Sequence, residues 1–388
     1  MFLKLEAVED FLSNLYVYEL VIFYCAVVVF LVQLLFYLFV YGKVARYKVV
    51  GKPDTESNEP VSIIVCARNE LDNLTQYLPL ILKQEYPTFE VIVVNDCSSD
   101  NSQDMLEKMQ AIYPHLKITH IKEDEKFSHG KKLALTIGIK AATYEWLLLT
   151  DADCMPESEN WLATMGNNFK EPNEIVLGYG GYFAEKGFLN RLIRFDTYFI
   201  AVQYFGFALC RIPYMGVGRN LAYRKSLFIK NKGFASHSHL QSGDDDLFIN
   251  EVANTKNTTI ELSLAAHTRS VPKKTVEEWV NQKSRHFSTA NRYKFIHKFL
   301  IGFESFTRML FYLSVILLLF QGSYLCYIGL GMLFIRMVIQ LSVYSITMKK
   351  LNEKKLLLFS LVFDIILPLI NIFLYTVNSF KTKQHKWK

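Results

Sequence analysis

Asp151 and Asp153 flank a single small residue and follow directly on the uncharged run Leu147-Leu148-Leu149-Thr150. In an extended chain alternate side chains point the same way, so both carboxylates can converge on one cation. Mg²⁺ and Mn²⁺ favour such oxygen ligands and fill the rest of their shell with water and phosphate. A second acidic group, Ser242-Gly243-Asp244-Asp245-Asp246-Leu247, sets three acids side by side. Their repulsion raises one pKa, which suits a carboxylate that deprotonates a hydroxyl. A solvated loop capping the next helix is the plainer use of the same residues. In Val94-Asn95-Asp96-Cys97-Ser98-Ser99-Asp100, Asp96 can accept hydrogen bonds from a nucleobase or ribose. Alternatively, Asp96 or Ser98 simply caps the following helix. In Gln282-Lys283-Ser284-Arg285-His286, Gln282 and Arg285 share one helix face. Arg285 can clamp phosphate or a carboxylate, or make only surface contacts.

These residues need a frame. The stretches 61–66, 90–94, 116–121 and 146–150 read as strands, alternating with helical spacing over 70–83, 102–112 and 131–142. Such alternation predicts a mostly parallel sheet covered by helices on both faces. Ligands of these sheets sit beyond the carboxyl ends of the strands, where the acidic motifs fall.

The chain has 388 residues, 51% of them hydrophobic and 14% aromatic, with a mean hydropathy of +0.14. That is too apolar for an ordinary soluble enzyme and excludes a disordered or collagenous chain. A net charge of +6 is too mild for a nucleic-acid binder. The six cysteines have no metal-ligand spacing and read as reduced thiols. Residues 20–42 carry no charge and are long enough to cross a bilayer. Lys43, Arg46, Lys48 and Lys52 follow, so the positive-inside rule sets the N-terminus outside and the chain beyond residue 43 in the cytoplasm.

Residues 309–335 and 337–348 are uncharged apart from the intervening Arg336 and suit two further spans, joined near 321–327 or 329–331. The stretch 356–380, interrupted by Asp364 and Pro368, is ambiguous. A single crossing would put the basic tail outside, whereas a re-entrant segment kinked at Pro368 returns it to the cytoplasm, which the charge bias favours. The expected layout is an anchor (1–50), a soluble domain with interfacial helices (51–300) and a membrane region (301–388). The aromatic stretch 188–214 suits either helices at the membrane interface or a core helix.

In order and spacing, these pieces resemble the family 2 inverting glycosyltransferases of the GT-A fold. They look most like the membrane-embedded branch with cellulose, hyaluronan and poly-N-acetylglucosamine synthases and ceramide glucosyltransferase. The resemblance rests on VSIIVCARNE (61–70), VIVVNDCSSD (91–100), GKKLAL (130–135), LLLTDADC (147–154), GVGRNLAYRKS (216–226), SGDDDL (242–247) and QKSRH (282–286). It implies an α/β GT-A domain, Rossmann-like with a mostly parallel sheet, between N- and C-terminal transmembrane helices. Ala67, Arg68, Asn69, Glu70 and Asp96 would then hold the nucleotide, with Lys131 close by. Asp151 would contact ribose or metal, and Asp153 would ligate Mg²⁺ or Mn²⁺ on the diphosphate. Gln282 and Arg285 would close over diphosphate and acceptor. His286 stands where the family motif carries tryptophan, which puts acceptor choice and polymer extension in doubt. The base is Asp244 if the acidic run matches ED-x-x-L and Asp245 if it matches GDD; the first register is preferred.

The expected activity is transfer from a UDP-sugar to a lipid, glycolipid or lipid-linked glycan in the inner or plasma membrane. A processive polysaccharide synthase is the alternative, and a non-catalytic nucleotide-binding membrane protein is a second one. Acids concentrated in the soluble part, with only Asp364 and Arg336 obvious within apolar segments, favour the enzyme.

Overall fold

The computed structural model describes residues 16–49, 59–122, 130–240, 242–321 and 324–380. Most of the linker at 51–60, the acidic N-terminus and the lysine-rich tail lie outside them.

The four expected strands form, as β1 (Val61–Ala67), β2 (Phe89–Asp96), β3 (Leu116–Ile121) and β4 (Trp146–Asp151). They pair in parallel in the order β3-β2-β1-β4. Helices α2 (Leu71–Leu82), α3 (Ser102–Ile112) and α4 (Lys131–Ala141) connect them, and α1 (Val17–Arg46) precedes them. Strand periodicity explains the two layers. Ile63, Val65, Val93 and Leu148 face Leu74, Leu78 and Leu106 on one side. Ile64, Val94, Leu147 and Leu149 face Ala134, Leu135 and Ile139 on the other. At Gly138 the α4 backbone packs so close that a Cβ would stand 2.7 Å from Ile64 Cγ2.

Beyond β4 the sheet turns mixed, through elements too short for a clear sequence period. After β5 (Cys154–Pro156), α5 (Trp161–Gly166), β6 (Ile175–Leu177), β7 (Gly180–Tyr182) and α6 (Phe188–Leu209) comes β8 (Leu221–Arg224), antiparallel to β4. It is followed by α7 (Lys225–Lys230), α8 (Asp246–Val252), β9 (Thr258–Ile260) and β10 (Thr268–Ser270). Strands β5, β10 and β7 make a second small sheet. Helix α6 is buried along nearly its whole length, wedged between Leu177 and Tyr179 of the domain and Tyr37, Tyr41 and Tyr344 of the apolar helices. This burial matches the core-helix reading of the aromatic stretch.

After the amphipathic α9 (Val276–Ala290) the chain forms α10 (Phe295–Leu319), α11 (Tyr324–Lys350) and α12 (Phe359–Phe380). Among the described residues four helices, Val17–Arg46, Phe295–Leu319, Tyr324–Lys350 and Phe359–Val377, are long and apolar enough to cross a membrane. This is a membrane protein. Helix α10 begins earlier than the uncharged run suggests, because its charges are neutralised inside the bundle. Arg308 pairs with Glu304 at 2.7 Å and with Asp364 at 3.1 Å, and Arg336 reaches Asp364 at 2.8 Å.

Helix α12 runs unbroken through Pro368, in place of the kinked re-entrant segment. Its first turn lies under Arg191 of α6, and Phe363 packs on Phe188 and Phe195. It then follows α9, and Tyr375 donates to Asn291 just before α10 begins. Both ends of α12 therefore meet the side of the bundle that carries the sheet domain.

Candidate active site

Strand order reverses around β1, with β2 on one side and β4 on the other, and the acidic motifs gather beyond the carboxyl ends of these strands. After β1, Asn69 adopts a left-handed backbone (φ 54°) and clasps the loop after β2. Its side-chain oxygen accepts from Ser99 N at 2.8 Å, and its own N–H donates to Ser98 Oγ at 2.9 Å. Asp100 accepts from the N–H groups of Leu71 and Ser102, the first residues of α2 and α3. Capping is therefore done by Asp100, which corrects the alternative that gave it to Asp96 or Ser98. Asp96 is buried at the end of β2 and Ala67 at the end of β1, with Arg68 half-buried beside it. Burial pushes the Glu70 carboxyl up, and the charges of Asp153 and Asp151 add to the effect.

Lys131 opens α4 and projects Nζ between two acidic motifs, 2.7 Å from Asp151 Oδ1 and 3.2 Å from Asp244 Oδ2. Burial opposes its charge, but Asp151, Asp244 and Asp245 hold it protonated well above the usual lysine range. Asp153 begins the turn into β5, and its Oδ2 accepts from Ser270 Oγ at 2.8 Å, across the β5–β10 pairing. Burial and the neighbouring Asp151 raise its carboxyl. Ligand atoms of Asp151, Asp153 and Cys154 lie within 4.8 Å of one another. Burial keeps the Cys154 thiol protonated, so a cation here would be met by the two carboxylates. That donor set fits Mg²⁺ or Mn²⁺.

The three acids of the 244–246 run have different surroundings. Asp244 is buried; its desolvation is outweighed by Lys131, which holds the carboxyl below its usual range. Asp245 caps α8, accepting from Asp246 N at 2.7 Å and from Gly218 N at 2.8 Å. It is pushed up to about 7 by burial and by the charges of Asp244 and Asp246. Asp246 is buried rather than solvated: its Oδ1 accepts from Leu247 N at 2.7 Å in the first turn of α8, while Tyr293 donates to its Oδ2 at 2.7 Å and Thr289 to the same oxygen. It fastens α8 to the end of α9.

On α9, Gln282 Nε2 donates to Tyr182 OH at 3.0 Å. Arg285 is half-buried and His286 exposed on the same helix. Lys283, inside this motif, bonds both carboxylate oxygens of Asp196 at 2.7 Å and anchors α9 to α6.

Several contributors were given no role from the sequence. Ser270 supports Asp153 from a strand more than a hundred residues away. Lys132 donates to the carbonyls of His237 and Leu240, and His237 Nε2 donates to Gly243 O at 2.8 Å, which steadies the loop before Asp244. Arg219 stacks on Tyr182 with Cζ 4.3 Å from the ring centroid. The signals for it were its place in the 216–226 segment that carries the resemblance and its charge inside the otherwise neutral Gly216-Val217-Gly218-Arg219-Asn220-Leu221.

The chain is similar to known proteins. Over 126 residues the chain is 31% identical to a poly-beta-1,6-N-acetyl-D-glucosamine synthase of Staphylococcus epidermidis, covering 32% of this chain and 29% of that protein. A synthase of the same description from Staphylococcus aureus is 28% identical over 123 residues, again 29% of its length. The chain thus spans under a third of the curated relatives it matches. Among solved structures, a mannosyltransferase of Pyrobaculum calidifontis in complex with GDP-Man and Mn²⁺ superposes with a TM-score of 0.59 at 17% identity. The superposition covers 93% of this chain and 100% of that one, and extends the fold likeness into the apolar helices. Residues 62–231 match the family described as Glycosyl transferase family 2. This segment, with β1 to β4 at its centre and the Asp151–Asp153 pair at its edge, is a family 2 glycosyltransferase domain of GT-A-like fold.

Proposed function

We propose that the protein is a membrane-bound inverting glycosyltransferase that moves a sugar from a UDP-sugar onto a membrane-presented glycan. The observation that carries this reading is the contact of Lys131 with both Asp151 and Asp244, which brings a metal-type carboxylate pair and an acid cluster to one point beyond the sheet. Asp96 and the turn from Ala67 to Glu70 hold base and ribose. Asp151 and Asp153 hold Mg²⁺ or Mn²⁺, which when bound stabilises negative charge on the diphosphate.

In the reaction, the acceptor oxygen attacks the anomeric carbon as the bond to the diphosphate oxygen breaks. The acceptor proton passes to a carboxylate, and the nucleoside diphosphate departs. Asp245 is the better base. Its carboxyl near 7 takes a proton readily at neutral pH, whereas Asp244 is committed to Lys131. This favours the GDD register. Asp244 and Lys131 then act as a positioning pair.

The similarity to poly-beta-1,6-N-acetyl-D-glucosamine synthases supports polymer extension over the transfer to a lipid or lipid-linked glycan expected from the sequence, where His286 spoke against a polymer. The basic ends of α1 and α11 support a cytoplasmic domain, for Lys43 and Lys350 bond backbone oxygens of Leu209 and Tyr47 on the domain side. The test is to incubate membranes with a panel of UDP-sugars and Mg²⁺ or Mn²⁺, following UDP release and product masses. A ladder of lengths is expected. A single added sugar would return the reading to single transfer, and no UDP release from any donor would overturn it.

A further inference from the structure

Arg219 lies on the turn between Gly218, whose N–H meets Asp245, and β8. Its backbone is held from two sides. Its carbonyl accepts from Thr150 Oγ1 at 3.2 Å, next to Asp151, and from Thr268 Oγ1 at 3.0 Å, on the strand that carries Ser270. The next residue, Asn220, is fully buried and bonds Trp161 Nε1 and the carbonyls of Tyr179 and Ala266.

The side chain is placed as firmly. A Cβ at Gly180 would come within 2.8 Å of Arg219 Cβ, so the bare glycine leaves the room in which Arg219 lies. The guanidinium is stacked on the Tyr182 ring, whose hydroxyl is held by Gln282. Burial opposes the Arg219 charge, but Tyr182, Cys154, Asp153 and Asp151 together raise its pKa, and among the described residues no ion pair forms between Arg219 and either aspartate. Nη1 is removed from solvent and, among the described residues, has no hydrogen-bond partner.

A buried guanidinium N–H without an acceptor costs free energy unless a ligand supplies one. The group is rigid, planar and beside the metal-type acids, an arrangement suited to an anionic oxygen. We propose that Arg219 is a donor-binding residue, its Nη1 bonding an anionic oxygen of the nucleotide-sugar. That oxygen belongs to the diphosphate or to a carboxylate on the transferred sugar. This rests on the transferase reading of the site. It adds a cation stacked on Tyr182 to the one on α9, Arg285.

Calorimetric titration of the purified full chain with UDP, UMP and a UDP-uronic acid, in Mn²⁺, tests the assignment. With Arg219→Met, UDP affinity is expected to fall about tenfold or more, the usual scale for losing a charge-assisted bond. UMP affinity is expected to stay unchanged. Arg219→Lys, which keeps charge but loses the planar fork, is expected to recover part of the loss and serves if the methionine variant does not fold. A selective loss for the UDP-uronic acid, with UDP unchanged, assigns the contact to the sugar carboxylate. Unchanged binding of all three, or an equal loss for UMP, would overturn the proposal. Failure of the unsubstituted protein to bind UDP at all would instead strike the reading of the site.

Discussion

Lys131 Nζ stands 2.7 Å from Asp151 Oδ1, so the first residue of one helix neutralises the last residue of the central strand. Its second contact, with Asp244 at 3.2 Å, links the donor-side and acceptor-side acids through one ammonium group. Without it, Asp151, Asp153, Asp244 and Asp245 would face one another with little compensation, and like charges in a buried cleft raise each other's pKa. The cleft is thus organised around a cation that the protein itself provides.

Asp153→Ala is expected to abolish turnover and metal-dependent UDP binding while the chain stays folded, since among the described residues the carboxylate's hydrogen-bond partners are just Ser270 and Cys154. Titration with UDP in Mn²⁺ and in excess EDTA checks this. Full activity in the variant, or activity indifferent to EDTA, would remove the metal assignment.

Asp245→Asn is expected to lower turnover by about 10²–10⁴, the scale of general base catalysis, with UDP affinity nearly unchanged. Asp244→Asn should also reduce turnover but weaken nucleotide binding with it, because Lys131 loses one of its two partners. Steady-state kinetics beside UDP titration separate the two. An inactive Asp244→Asn with normal UDP affinity, next to an active Asp245→Asn, would restore the other register.

The pH profile follows from the same residue. A base works only when deprotonated, so kcat/KM should rise as pH climbs through about 7, where the Asp245 carboxyl ionises. Burial is the first cause of that raised value and Asp244 the second. Removing the Asp244 charge should therefore move the rise to lower pH. A flat profile between pH 5 and 8 counts against Asp245.

Helix α12 is expected to lie along the membrane surface with both ends on one side. Val362, Ile365, Leu369, Ile372 and Phe373 leave an apolar face exposed, while Phe363, Leu367 and Leu374 are buried. Single cysteines at Leu358 and Thr376 should react with an impermeant thiol reagent from the same side. Labelling from opposite sides would make it a spanning helix.

Asp364→Leu should destabilise the protein by about 3–5 kcal/mol, because a buried charge cluster that loses one partner keeps the desolvated others. Asp364 receives hydrogen bonds from Arg308, Arg336, Tyr312 and Tyr37, which join α1, α10, α11 and α12. Thermal unfolding in detergent gives the shift. An unchanged melting temperature would show that the cluster does not hold α12 in place.

The parallel half of the sheet was legible to within a residue or two at each strand end, because β1, β2 and β4 are largely apolar runs, β3 alternates apolar and polar residues, and each connecting helix repeats its apolar residues every three or four positions. The third strand was read with its observed bounds, Leu116–Ile121. The paired carboxylates were equally legible, since a charge at the end of such a strand must face outward. Strands β5 to β10 are mostly three residues long, too short for any period to show, and their pairing joins segments more than a hundred residues apart. Only the tertiary structure could therefore bring Ser270 to Asp153 and Arg219 onto Tyr182. It also separated the roles of three adjacent aspartates. Their sequence context is nearly the same, but one faces Lys131, one caps its helix against Gly218, and one turns to Thr289 and Tyr293. Direction at a loop-to-helix junction depends on which partners the fold brings near, and local sequence does not encode it.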